Sequence, residues 1–197
     1  MRIYLLLLVL GAALSAQTVP NSSPGGEYKF PLDARRDPWQ MPDGVIKALN
    51  LSSSETVAVI EEGYPYFAPR IAPFVKKVYA VNSDPRAFQG RGVLPSGISA
   101  IVSTSASPAL LRLNIDTVIM VDLLRRIPQR MSYYRALTAG LNSGARVVII
   151  DRKLPAAYPA ATAITDVVIK AELRLAGFRL TQSFTFLPYQ YFLVFEL

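Results

Sequence analysis

Five short, mostly apolar and β-branched runs punctuate the chain: Thr56 to Ile60, Lys77 to Val81, Ile98 to Ser103, Ile115 to Val121 and Ala145 to Ile150. Runs of this kind predict strands buried on both faces. Helical stretches are predicted between them, over Tyr66 to Val75, Pro85 to Gln89, Pro128 to Leu141 and Ala163 to Leu175. A further short amphipathic helix is predicted from Pro42 to Leu49, where Val45, Ile46 and Leu49 share a face. Asp84-Pro85 supports one boundary, because aspartate caps free backbone donors and proline suits the first helical position. Alternating β and α units imply an α/β fold: a parallel sheet with right-handed crossovers and a ligand crevice at the carboxyl ends of the strands. The last segment breaks the rhythm. Phe178 to Phe186, Leu187-Pro188 and Tyr189 to Glu196 read as two strands joined by a tight turn, an antiparallel pair at the end of the sheet.

The amino-terminal pattern is of another kind. Met1-Arg2, an apolar stretch from Ile3 to Leu10 and small residues up to Ala16 have the layout of a secretory signal peptide over residues 1–16. A retained anchor is the alternative, although the stretch falls short of the roughly 20 residues a membrane-spanning helix needs. Residues 17–27 are polar and rich in turn formers, which predicts a flexible lead-in to a single domain over residues 28–197. On this reading the protein is exported, periplasmic or secreted, with no transmembrane segment in the mature chain.

Composition narrows the chemistry. The chain has no cysteine, so neither a disulfide nor a lipid-bearing cysteine is available, and stability rests on the core. It also has no histidine, which removes Ser-His-Asp catalysis and the usual nitrogen ligands of zinc. Loss of the leader takes one of 21 basic residues and leaves 20 against 14 acids, a net charge of +6. That excess is spread along the chain without a nucleic-acid motif and favours anionic surfaces or ligands.

Several segments, in order and spacing, carry a resemblance. These are Arg36-Asp37-Pro38-Trp39-Gln40-Met41-Pro42, the run into Gly63-Tyr64-Pro65-Tyr66-Phe67, Val78-Tyr79-Ala80-Val81, Ile115 to Asp122, Arg146 to Asp151, Ala176-Gly177-Phe178 and Leu187 to Phe192. Together they resemble the class I S-adenosylmethionine-dependent methyltransferases, most closely bacterial members with a Trp-Gln-x-Pro segment before the first strand. The resemblance covers the chain from about Arg36 to its end. It implies a Rossmann-like sheet of seven strands with the last antiparallel, and S-adenosylmethionine as cofactor.

The departures from that family fall at the cofactor site. Active relatives lead from the first strand into Asp-x-Gly-x-Gly-x-Gly, whose glycines permit unusual φ angles and close approach to the cofactor. Here Val59 stands at the acidic position, Glu61 at the first glycine, Gly63 at the second and Pro65 at the third. Proline holds φ near about −65° and lacks an N–H, so a path needing positive φ is not available at Pro65. By the resemblance Glu61, Gly63, Tyr66, Asn82 and Asp122 are the cofactor-binding candidates. Glu61 either bonds the cofactor's amino group or repels its carboxylate. Asn82 replaces the acid that holds the ribose hydroxyls; it either keeps one weaker hydrogen bond or simply starts the turn before the Asp84 cap. Asp122, at the end of the fourth strand, either lines the reaction cleft or is a turn aspartate.

Close relatives often carry paired histidines where this chain has Arg125-Arg126. With Arg130 and Arg135 nearby, the arginines form either an anion-binding cleft or a solvated, acid-paired helix face. Asn142-Ser143-Gly144 reads as the turn before the fifth strand, and Tyr189 and Tyr191 either face a pocket or, as their strand spacing favours, pack against the sheet. Gly90 to Gly97 is a candidate variable loop. The leading expectation is an exported, methyltransferase-like pseudoenzyme acting as a binding or interaction module for a protein or small-molecule partner. The alternative is an active methyltransferase with an altered cofactor loop.

Overall fold

Seven strands build one sheet in the computed structural model, which describes residues 34–89, 94–153 and 164–197. The predicted leader and lead-in lie outside the described residues, as do the start of the predicted domain and residues 90–93 of the candidate loop. The strands are β1 (Thr56–Glu61), β2 (Lys77–Asn82), β3 (Ile98–Val102), β4 (Ile115–Val121), β5 (Leu141–Arg152), β6 (Arg179–Phe184) and β7 (Gln190–Glu196). Their order is β3-β2-β1-β4-β5-β7-β6. The first five are parallel, and β7 runs antiparallel to both β5 and β6. This is the Rossmann-like class I methyltransferase arrangement that the resemblance implied.

Alternation along each strand splits the core into two layers. Ala58, Ile60, Val118, Met120, Val147 and Ile149 face one side, where Tyr133, Tyr134 and Leu137 of α4 (Arg130–Thr138) and Ile169 and Leu173 of α5 (Asp166–Leu175) cover them. Val57, Val59, Ile119, Val121, Val148 and Ile150 face the other side. There they meet Val45 and Leu49 of α2 (Pro42–Leu49) and Phe67 and Ile71 of α3 (Phe67–Ile71). Full burial of each such side chain contributes about 1.5–3 kcal/mol. The short α1 (Asp37–Gln40) precedes α2.

Several boundaries differ from the sequence reading. Asn142-Ser143-Gly144 lies inside β5, which starts at Leu141. The ladder jumps from Ile115↔Leu141 to Thr117↔Arg146, and the extra residues loop out as a bulge with Gly144 at φ +73°. Asn142 closes the bulge by donating from Nδ2 to the carbonyl of Asn114 at 3.1 Å. Accordingly α4 stops at Thr138, short of Leu141. Gly140 then packs so tightly that an added Cβ would lie 2.3 Å from the Leu110 carbonyl oxygen. The stretch from Tyr66 to Val75 divides into α3 and a 3-10 turn, Ala72–Phe74, where Pro73 lacks the donor a continuing helix needs. Finally, β7 begins at Gln190: Tyr191 packs in the core as expected, but Tyr189 stands outside the strand and is exposed. The cap at Asp84 forms as predicted, accepting from Arg86 N at 3.0 Å ahead of the 3-10 turn Pro85–Phe88. Thr165 caps α5 by accepting from Val168 N at 3.3 Å.

Candidate functional site

The carboxyl ends of β1, β2 and β4 form the crevice where ligands bind in open α/β sheets. β1 delivers Glu61 there, on the face it shares with Val57 and Val59, and the ladder places Val121 opposite it. The chain then reverses through Glu62 and Gly63, the latter at φ +70°, and enters α3. The Glu61 side chain curls under that entry. Its Oε1 accepts from the amides of Tyr66 at 2.7 Å, Phe67 at 3.0 Å and Ala68 at 3.5 Å. The carboxylate therefore occupies the start of α3 and satisfies donors that helix geometry leaves free. Only 3% of Glu61 is exposed, and Arg36 approaches its Oε2 to 4.0 Å. Burial pushes the Glu61 carboxyl up to about 6, against the Arg36 charge and the three amides, which pull it down.

Tyr66 closes the same corner from above. Its ring lies between two guanidinium groups, Arg36 at 4.1 Å and Arg70 at 4.0 Å from the ring centroid. The phenol donates to Asp37 Oδ1, which also receives Arg70 Nη2 at 2.8 Å. Burial first, and the Asp37 contact second, hold the phenol well above its ordinary pKa. Arg36 also donates to Gln40 Oε1, so the segment that begins Arg36-Asp37-Pro38-Trp39-Gln40 is fastened over the first loop. Sequence reading missed Arg36, Asp37 and Arg70 as partners of Tyr66. The i, i+4 spacings Arg36/Gln40 and Tyr66/Arg70 were the available signal.

Asn82, at the end of β2, starts the turn before the cap by accepting from Asp84 N at 2.8 Å. Its amide does more. Nδ2 donates to the carbonyls of Glu61 at 2.6 Å and Gly63 at 2.8 Å, tying the end of β2 to the first loop. A carboxylate in that position would meet two carbonyl oxygens with no proton to offer.

Asp122 follows β4 in the left-handed region at φ 50°. It accepts from Gln190 Nε2 at 3.0 Å and has Arg152 Nε at 3.6 Å. Beside it, Asp151 is buried and accepts from Leu124 N at 3.0 Å and Arg152 N at 2.7 Å. Burial, with Asp122 adding to it, raises the Asp151 pKa. The arginines do not gather into one cleft. Arg126 pairs with Glu62 of the first loop, Arg130 pairs with Glu172 of α5 at 2.6 Å, and Arg125 and Arg135 are exposed.

Thus Glu61, Gly63, Tyr66 and Asn82 are brought together, and Asp122 sits one residue past the partner of Glu61 on a separate set of bonds. Two buried amide atoms have no partner among the described residues: Gln40 Nε2, a donor, and Gln190 Oε1, an acceptor. A cleft of about 330 Å³ lies elsewhere, between the start of α5 and β6–β7, lined by Lys153, Thr165, Asp166, Ser183 and Tyr191. Among the described residues no cluster of acidic side chains is arranged to hold a metal ion.

No family model matches this chain, and neither does any curated protein. Solved structures match in fold. A SAM-dependent methyltransferase from Aquifex aeolicus aligns with TM-score 0.71 at 16% identity, over 83% of this chain and 93% of that one. An S-adenosylmethionine-dependent methyltransferase from Mesorhizobium loti gives 0.61 at 11%, over 78% and 96%. Magnesium protoporphyrin IX methyltransferase from Synechocystis PCC 6803, with bound SAM, gives 0.58 at 17%, over 83% and 81%. At these identities the likeness is one of fold: the chain has the class I methyltransferase architecture.

Proposed function

We propose that this chain is an exported, methyltransferase-like pseudoenzyme whose cofactor crevice is closed by its own side chains, and that it serves as a binding module. One observation carries the reading. Glu61 gives its carboxylate to the amides at the start of α3, while Asn82 binds the carbonyls of Glu61 and Gly63. The two side chains that the resemblance sets toward the cofactor's methionine and ribose portions are both engaged with the segment that follows β1. Pro65 adds to this, since its φ and missing N–H prevent the glycine-type path. The residues at the ends of β1 and β2 therefore do not fit S-adenosylmethionine. The leader-like pattern over residues 1–16 agrees in direction, because S-adenosylmethionine is an intracellular cofactor.

Calorimetric titration of the folded chain with S-adenosylmethionine and with its demethylated product tests the reading. No heat of binding is expected up to millimolar ligand. Saturable binding in the micromolar range would overturn it.

A second reading is favoured by the two orphaned amides. Gln40 Nε2 and Gln190 Oε1 are a buried donor and a buried acceptor without partners among the described residues, the capacity a ligand held in an altered way would use. On that reading the chain is a methyltransferase that holds its cofactor by a different route and works by orienting the acceptor. Micromolar affinity for S-adenosylmethionine that is lost in Gln40→Leu would establish it.

A further inference from the structure

Helix α5 is apolar on two opposite sides. Ile169 and Leu173 point into the core and are fully buried. On the opposite side Val167 is 69% exposed, Val168 41% and Leu175 73%, with Ala171 exposed between them. A helix of ten residues whose outer stripe is as apolar as its inner one is not the usual surface helix, whose outer face is charged.

The charges beside the stripe are not balanced. The acids of α5 are already neutralised: Asp166 by Lys170 at 2.6 Å and Glu172 by Arg130 at 2.6 Å. Two exposed arginines are not. Arg174, next to Leu175, makes no ion pair among the described residues, and neither does Arg135, exposed on the adjacent α4. Arg179, just beyond at the start of the edge strand β6, is by contrast paired with Glu196 at 2.7 Å. An apolar stripe with cations beside it is the composition of a helix that lies in the surface of an anionic bilayer. The area points the same way. A helix of ten residues is about 15 Å long and about 10 Å wide. It presents far less than the roughly 800 Å² per partner that a stable protein interface buries. Among the described residues no helix is long and apolar enough to cross a membrane.

We infer that the outer face of α5, with Arg135 and Arg174, is a docking surface for anionic lipid. Val167, Val168 and Leu175 enter the acyl boundary and the guanidinium groups meet the headgroup phosphates. The inference is independent of whether the crevice binds a cofactor.

The test is co-sedimentation of the full chain with vesicles of phosphatidylglycerol mixed with phosphatidylcholine, and with vesicles of phosphatidylcholine alone. Two variants are run beside the parent, V168S/L175S and R135E/R174E. Both alter exposed positions, and melting curves matching the parent verify that each is folded. The amino-terminal apolar stretch is common to all three, so differences report on the α4–α5 surface. Expected are tight, salt-sensitive partitioning of the parent to the anionic vesicles and a drop of about tenfold in each variant. Three results would overturn the inference: no partitioning of the parent, equal partitioning of parent and variants, or equal partitioning to neutral vesicles. Light scattering is the remaining arm. A dimer that V168S/L175S dissociates would assign the stripe to a second copy and overturn the lipid assignment.

Discussion

At the carboxyl ends of β1 and β2 polar groups are buried and bonded to one another; on the outside of α5 apolar groups stand in water. Each region inverts what its position leads one to expect. A ligand crevice ordinarily keeps polar groups unsatisfied and accessible so that a ligand can complete them. Here Glu61 and Asn82 complete the protein instead. A surface helix ordinarily turns its apolar stripe inward alone, whereas α5 carries a second stripe outward. On the proposed reading, binding capacity resides on the surface and the crevice belongs to the core.

The comparison is broken most forcefully at Glu61. Glu61→Ala removes the acceptor of three backbone amides and leaves Arg36 without its carboxylate; a loss of about 3–4 kcal/mol is expected, measured by urea denaturation. Asn82→Asp comes next. It restores the acid that active relatives carry, yet sets a carboxylate against the carbonyls of Glu61 and Gly63, so a loss of about 2–3 kcal/mol is expected with no gain in S-adenosylmethionine affinity.

The pH dependence of stability has a definite sign. Glu61 has its pKa raised from 4.5 to about 6, so the folded state holds this proton longer than the unfolded chain does. The contribution of Glu61 to stability therefore falls as pH rises from 4.5 through 6, by about 2 kcal/mol, and is flat above that range. If the slope belongs to Glu61, the stability difference between the parent and Glu61→Gln changes by about 2 kcal/mol across this window. The variant is expected to lack it.

The smallest effect is expected on the outer face of α5, in contrast with the inner face of the same helix. Leu175→Ser should change stability by less than about 0.5 kcal/mol, because the side chain is already in water. Leu173→Ala, two residues earlier and fully buried, should cost about 2–5 kcal/mol.

How much of this was readable in the sequence follows the same division. The five parallel strands were legible because β-branched runs buried on both faces leave a predominantly apolar signature. The start of β5 was not, because Asn142-Ser143-Gly144 is good turn chemistry that the ladder absorbs as a bulge. Likewise Tyr189 shares the aromatic character of Tyr191 but not its burial. At the site, the loss of the glycine pattern was visible directly. What replaced it was not: Glu61 meets amides five to seven residues on, while Tyr66 meets Asp37 across 29 positions. No local periodicity encodes that contact. The outward stripe of α5 was hidden for another reason. With apolar residues on both sides, periodicity predicts a helix without telling which side the core takes.

The most direct test of the closed crevice is a nuclear magnetic resonance titration that follows the Glu61 carboxyl carbon and the amides of Tyr66, Phe67 and Ala68. The account predicts a Glu61 midpoint near pH 6, and at neutral pH no movement of these four signals on adding millimolar S-adenosylmethionine. Saturable shifts at all four positions, with the ligand displacing Glu61 from the start of α3, would contradict it.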